Sequence, residues 1–280
     1  MITTENLCFA YVRGKPVLEN ISFSLSAGSV CGILGRNGAG KTTLLKLLCG
    51  LVFPVTGHCF LDGSDVRDRE VSTLQKLFYL PEEFVLPDIT VKRYMSVYAP
   101  LYDNFDKDLF KTLIDGFELN LGDNLSSMSY GMRKKVLLAF AMAIRARMLL
   151  MDEPTHGLDI PSKKQFRKML VTAVTEKQNV IMATQQVRDI GTMLDHIMIL
   201  HNNRLILNEQ VDTITSVLDF SEKSDSSVIY SESSISGLRV LSANTSGINS
   251  DFDAELLFNG VMNNPVAVMD LFAGTKAIKI

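Results

Sequence analysis

The residues Gly35-Arg36-Asn37-Gly38-Ala39-Gly40-Lys41-Thr42-Thr43 have the G-x-x-x-x-G-K-[ST] spacing of a phosphate-binding loop. Small residues let successive backbone N–H groups converge on an anion. A helix starting at the end of the loop adds unpaired donors and the positive end of its dipole. Lys41 adds a full charge able to reach outer phosphates, and the Thr42 hydroxyl suits Mg²⁺, a hard cation that prefers oxygen ligands. A second stretch, Met148-Leu149-Leu150-Met151-Asp152-Glu153-Pro154, is an apolar run ending in adjacent carboxylates. Acidic residues often end strands without chemical purpose. Downstream of a phosphate loop, this pair reads as Asp152 near Mg²⁺ and Glu153 free to orient a water. A third stretch, Met128-Ser129-Tyr130-Gly131-Met132-Arg133-Lys134-Lys135, crowds three cations into the first turn of a helix. That is the unfavourable end for positive charge, at about 0.3–1 kcal/mol each if unopposed. Either an anion docks there or the side chains splay into water, and the charges alone leave both open.

Elements of matching type must hold these residues. Val30-Cys31-Gly32-Ile33-Leu34 reads as a buried strand and Leu44-Leu45-Lys46-Leu47-Leu48 as a helix, the context a phosphate loop requires. Upstream, residues 2–11 and 17–26 alternate apolar and polar around the turn signal Gly14-Lys15, which predicts antiparallel strands. Further strands are expected at 58–61, ended by Asp62-Gly63, and at 77–80, stopped by Pro81. Residues 90–99 and 107–118 have helical spacing, and 131–147 is apolar nearly all round, the mark of a buried helix. Residues 88–145 therefore read as a helical insert. Strand and helix then alternate, with strands at 148–151, 180–183 and 197–200 and helices after Pro161 and from Val187, so the sheet is largely parallel. The stretch 221–236 is dense in serine without an apolar period and reads as a linker or exposed loop, followed by a small α/β appendage with no chemical motif.

Composition narrows the class. The chain of 280 residues is 46% hydrophobic, enough for one sizeable domain and a smaller one. A formal net charge of −3 gives no support to a nucleic-acid partner. The four cysteines, Cys8, Cys31, Cys49 and Cys59, lack C-x-x-C spacing and read as small apolar residues of a reducing compartment. The start carries no basic and apolar signal pattern, and the longest apolar run, 136–144, is too short to span a bilayer.

Together these residues resemble an ATP-binding cassette, the nucleotide-binding subunit of ABC transporters, of the bacterial single-cassette type. The likeness covers about residues 1–210, with the motifs in the family's order. It implies an α/β fold: a P-loop NTPase core with a largely parallel sheet, an antiparallel β subdomain and an α-helical insert, plus a small C-terminal appendage. The cassette would span 1–215, with its insert at about 88–145, and the linker and appendage 216–280. The phosphate loop matches in full, so the resemblance implies that Gly35, Arg36, Asn37, Gly38, Ala39, Gly40, Lys41, Thr42 and Thr43 contact ATP, with Lys41 also catalytic. Ser129, Tyr130, Gly131 and Met132 lie in a variant of the family signature L-S-G-G-Q, in which Ser129 and Gly131 match while Met128, Tyr130 and Met132 depart. Asp152 and Glu153 match the magnesium-associated acid and the catalytic glutamate, and Gly157-Leu158-Asp159 resembles the loop that touches a partner cassette. Tyr11 falls where the family places an adenine-stacking ring.

Two departures bear on turnover. Glu82 stands where the family usually has a glutamine; it can still bind Mg²⁺ but adds negative charge beside the phosphates. Gln185 stands where a histidine usually follows Thr184; its amide can donate to a γ-phosphate but cannot carry a proton, which implies slow hydrolysis. The resemblance further implies a head-to-tail homodimer with each ATP between the phosphate loop of one copy and the signature of the other. The γ-phosphate across that interface would then be the anion the crowded cations lack. A separate transmembrane permease would be the partner, placing the chain peripherally on the cytoplasmic face of the membrane, with no nucleic acid. Two other readings compete. One is a nucleotide-gated dimerisation module with little turnover, favoured by Gln185 and opposed by Glu153. The other is a soluble cassette acting on ribosomes or DNA. Against it, one cassette is seen rather than two, and no long coiled coil lies between Gly40 and Ser129.

Overall fold

The structure is a computed structural model describing residues 1–222, 228–234 and 237–277. The chain opens on an antiparallel pair, β1 (Ile2–Phe9) and β2 (Leu18–Leu25). It then forms β3 (Val30–Leu34) and helix α1 (Lys41–Leu48), and returns to the first sheet with β4 (Thr56–Leu61) and β5 (Ser64–Asp65). A helical turn, α2 (Val71–Leu74), leads to β6 (Leu77–Leu80). Three helices follow, α3 (Val91–Tyr98), α4 (Lys107–Gly116) and α5 (Tyr130–Ala143). Strand and helix then alternate through β7 (Met148–Asp152), α6 (Ile160–Ala173), β8 (Asn179–Thr184), the single turn α7 (Val187–Ile190), β9 (His196–His201) and β10 (Arg204–Gln210). The last part comprises α8 (Val211–Val217), β11 (Leu218–Ser221), β12 (Val228–Ser234), β13 (Gly237–Ala243), α9 (Ala254–Asn263) and α10 (Pro265–Ala277).

The central sheet has the order β10-β9-β3-β8-β7-β6. All its neighbours are parallel except β10, which runs antiparallel to β9. Its inner strands β9, β3, β8 and β7 are buried on both faces, and the alternation of side chains sorts them between two cores. Met148, Leu150, Ile181, Ala183, Met198 and Leu200 face α1 and the antiparallel sheet β2-β1-β4-β5. Leu149, Met151, Val180, Met182, Ile197 and Ile199 face the helical layer of α3 to α6. One sheet thus carries a β layer on one side and helices on the other, with the ends of β3, β7 and β8 side by side. Cys31, Cys49 and Cys59 are buried and all four cysteines are free.

The tail differs in part from the expected linker. β12 lies within the serine-rich stretch and forms a three-stranded antiparallel sheet in the order β11-β13-β12. Its pairing runs from Val228↔Ser242 to Ser234↔Gly237, and Ile229 and Tyr230 pack against the helical-side core. Tertiary pairing overrides composition here, because strand preference depends on the neighbours a strand finds. Residues 223–227 and 235–236 of that stretch lie outside the described residues.

Candidate functional site

The loop after β3 bends onto α1 through Gly40, the residue preceding the helix, at φ 97°. A Cβ there would lie 2.7 Å from Leu18 Cδ2 and 3.1 Å from the Val17 carbonyl oxygen, so conformation and space both demand glycine. α1 is anchored by buried Leu44, Leu45, Leu47 and Leu48, which fixes the direction of its N-terminus. The Lys41 ammonium is buried and donates to the carbonyls of Gly35 at 2.8 Å and Arg36 at 3.3 Å. Burial lowers its pKa, while Glu153, Asp152 and Glu82 pull in the opposite direction. The exposed Tyr11 ring stands edge-on to Phe9, with its hydroxyl 3.3 Å from Thr43 Oγ1.

β7 brings the carboxylates to the same place. The Thr42 hydroxyl donates to Asp152 Oδ2 at 2.7 Å, and the Tyr79 hydroxyl donates to the same oxygen at 3.4 Å. Tyr79 is a site residue that sequence reading missed; it comes from β6, paired beside β7 with Tyr79 opposite Leu150. Glu153 continues the pairing one step further, its N–H donating to the Ala183 carbonyl at 2.9 Å. Its backbone then turns left-handed, φ 43°, a conformation costing about 1–3 kcal/mol in a non-glycine residue. The residue is 5% exposed and is gripped by the end of β8. Thr184 Oγ1 donates to Glu153 Oε2 and the Gln185 backbone N–H donates to Oε1, both at 2.8 Å. Burial raises the Glu153 pKa, and these two hydrogen bonds oppose the rise.

A cleft of about 490 Å³ collects these groups: Tyr11, Asn37, Gly38, Ala39, Gly40, Lys41, Thr42, Thr43, Glu82, Asp152, Glu153 and Gln185 line it. Gly35 and Arg36 contribute through the carbonyls that hold Lys41. The Asp152 carboxylate, buried and bonded only to hydroxyls in the contacts above, offers oxygen ligands beside the phosphate loop, which fits Mg²⁺. Among the described residues no group of three His, Cys, Asp or Glu gathers as a metal cage. Glu82 lies on the cleft wall and faces His156, with Oε1 3.7 Å from Nδ1.

Ser129, Gly131 and Met132 line a different, smaller cleft of about 200 Å³, together with Gly157, Leu158 and Asp159. Ser129 precedes α5, and its Oγ accepts from the Met132 N–H at 3.3 Å. The Tyr130 side chain turns inward instead: its hydroxyl donates to the Glu82 carbonyl at 2.8 Å and its ring stacks on Phe84 at 5.2 Å. Gly157 makes room for that ring, since a Cβ there would meet Tyr130 Cε1 at 2.5 Å. Of the three crowded cations, Lys134 takes neither course expected from sequence. Lys134 is fully buried, donates to the Pro81 and Glu82 carbonyls at 3.4 Å, and sits 5.6 Å over the Phe84 ring. Burial pulls its pKa down to about 8. Lys134 therefore ties α5 to the Glu82 loop of its own chain, and is not free to meet an anion outside.

A phosphate loop at a β3–α1 junction, with paired carboxylates ending the neighbouring strand, defines a P-loop nucleotide-binding α/β protein. The pattern of the ABC transporter family matches residues 18–156. The putative ABC transporter ATP-binding protein GSU3001 of Geobacter sulfurreducens is 31% identical over 212 residues, covering 71% of this chain and 74% of that protein. ABC transporter ATP-binding protein YtrB of Bacillus subtilis is 29% identical, covering 75% of this chain and 70% of its own length. Among solved structures, a putative ABC transporter ATP-binding protein from Pyrococcus furiosus superposes with a TM-score of 0.59 at 30% identity, over 66% of this chain and 91% of that one. An ATP-binding subunit of an ABC transporter matches in fold with a TM-score of 0.68 at 24% identity, over 76% and 91%. The chain belongs to the family of ABC transporter ATP-binding proteins.

Proposed function

We propose that the chain binds ATP with Mg²⁺ and hydrolyses it, as the ATPase subunit of a transporter whose membrane-spanning permease is a separate chain. The observation that carries this reading is Glu153, buried at the wall of the cleft that also holds Lys41, Thr42 and Asp152. In this reading the loop N–H groups and Lys41 bind the phosphates, Lys41 exchanging its two carbonyl partners for phosphate oxygens. Tyr11 offers its exposed ring to the adenine. Thr42 and Asp152, with Glu82 on the wall of the same cleft, would hold Mg²⁺, which would supply charge neutralisation on the phosphate oxygens. Glu153 accepts a hydrogen bond from the attacking water, and Gln185 stands at the γ-phosphate end. Ser129, with the backbone at Tyr130, Gly131 and Met132, serves a second copy in a head-to-tail dimer; the position of Ser129, Gly131 and Met132 in a separate cleft fits that arrangement. The cassette is 1–215, with the remainder an appendage packed on it. Among the described residues no helix is long and apolar enough to cross a membrane. Attachment to the cytoplasmic face would therefore run through the permease, and no nucleic acid is involved.

Glu153→Gln tests the reading, because binding survives while the water loses its acceptor. With saturating ATP, size-exclusion chromatography is expected to show a dimer for this variant and a mostly monomeric unaltered protein. A variant that stays monomeric at ATP concentrations proven to saturate it would overturn the sandwich. The second reading, an ATP-gated clamp with little turnover, draws on Gln185; the absence of steady-state phosphate release from the unaltered protein would favour it.

A further inference from the structure

We propose that Thr184 is a positioning residue for Glu153, its hydroxyl fixing the carboxylate that orients the attacking water. The inference rests on the ATP-hydrolysis reading above and assigns a task to a residue outside the phosphate loop, the signature and the carboxylate pair. Thr184 is fully buried at the last position of β8. A hydroxyl has one proton to give, and here its direction is set from both sides. The Gln186 N–H donates to Thr184 Oγ1 at 2.9 Å, so the oxygen's own proton is left for Glu153 Oε2 at 2.8 Å. The other carboxylate oxygen is held by the Gln185 N–H at 2.8 Å. The carboxylate is thus gripped at both oxygens by two consecutive residues at the end of one strand, Thr184 and Gln185, with Gln186 setting the direction of the Thr184 hydroxyl, and each oxygen keeps a further lone pair for the cleft. The left-handed backbone of Glu153 adds to the case. The neighbouring strand must hold a non-glycine residue in that conformation, and the N–H of Glu153 on the Ala183 carbonyl begins the same grip. The Gln185 contribution is a main-chain one that any non-proline residue supplies, so the side-chain-specific part of the grip belongs to Thr184.

The test uses the full chain with Thr184→Val, Thr184→Ala and Thr184→Ser. ATP turnover is followed across ATP concentrations, and ATP affinity is measured separately by equilibrium binding. Val and Ala are expected to lower kcat on the order of 10- to 100-fold, as misplaced reacting groups do, with ATP affinity unchanged. Ser, which keeps the hydroxyl, is expected to retain most of the rate. In a Glu153→Gln background Thr184→Val is expected to have no further effect on the residual rate, because the carboxylate it would position is gone. If Val fails to fold, Ala and Ser carry the same comparison. An undiminished kcat, a loss that Ser does not restore, or equal losses in both backgrounds would overturn the inference while leaving hydrolysis intact. An unaltered protein that binds ATP and releases no phosphate would instead remove the ATPase reading and this inference with it.

Discussion

Gln185 meets the cleft with two groups of different character. Its N–H holds Glu153, and its exposed side chain lines the space near the loop. Replacing the side chain leaves the first contribution in place, so the effect isolates the second. Gln185→Ala is expected to lower turnover on the order of tenfold, less than the 10²–10³ of a lost preorganised donor, and Gln185→His to raise it, with ATP affinity little changed. Equal rates in the three proteins, measured by phosphate release, would restrict the role of this position to its backbone. Glu82 is a separate case. Its carboxylate faces His156 across 3.7 Å, while its carbonyl is held by Tyr130 and Lys134. Glu82→Gln removes a charge without moving the loop. The expected outcome is near-normal ATP binding with a shifted Mg²⁺ concentration for half-maximal turnover; an unmoved titration would leave Glu82 as a solvated wall residue.

At the scale of elements, the helical layer is organised around one ring. Phe140 of α5 is 1% exposed and has Phe105 at 5.0 Å, Tyr94 at 5.2 Å, Phe110 at 6.0 Å, Phe78 at 6.2 Å and Tyr102 at 6.3 Å. These rings come from α3, α4, β6 and the connecting loops, so Phe140→Ala opens a cavity shared by all of them. Chemical denaturation is expected to show a loss of about 3–5 kcal/mol. Asp106 joins α4 to the end of α5: Oδ1 accepts from the Leu109 N–H at 2.8 Å, and Arg145 donates to Oδ2 at 3.1 Å. The backbone hydrogen bond at Leu109, assisted by Arg145, lowers the Asp106 pKa. A depressed carboxylate stabilises above its unfolded pKa, near 3.9, and that contribution fades as pH falls through the lower folded value. Asp106→Ala is therefore expected to cost about 1 kcal/mol at pH 7 as a lost helix cap. The difference from the unaltered protein should shrink below about pH 4, as urea titrations at both pH values would measure.

At the scale of the whole molecule, the last part of the chain is held together by charge as well as packing, and one ion pair ties it to α7. Arg239 of β13 pairs with Glu232 at 2.7 Å, with Glu255 at 3.3 Å and with Asp253. Glu255 also pairs with Arg188 of α7, close in the chain to Gln185. These groups line a cleft of about 1270 Å³, larger than the one at the phosphate loop, yet its charges are largely paired with one another. The phosphate loop and the carboxylates Asp152 and Glu153 line the smaller one. Arg239→Ala leaves three carboxylates facing each other, and the loss of charged hydrogen bonds is worth about 1.5–3 kcal/mol each in a protected site. Limited proteolysis of that variant is expected to cut within the tail, while ATP binding by the cassette persists. Loss of ATP binding together with the tail would show that the two cannot be separated.

Unlike β10 and the strands of the last part, the main strands and helices from β1 to β9 in their order, the phosphate loop with its Gly40 and Lys41, and the paired carboxylates were legible from the chain alone. Each is set by a contiguous run: conformation, burial pattern and charge of neighbours in sequence decide it. β12 was not legible, because serines give no apolar period and the strand exists through its pairing with β13. Nor was the inward course of Lys134 and Tyr130 onto the Glu82 loop. Those partners stand 52 and 48 positions apart, and a charge count at a helix start does not say which way a long side chain folds. The grip of Thr184 on Glu153 spans 31 positions and depends on β7 and β8 lying side by side. A contiguous run does not say which distant strand or loop becomes its neighbour, and so these contacts belong to the tertiary structure alone.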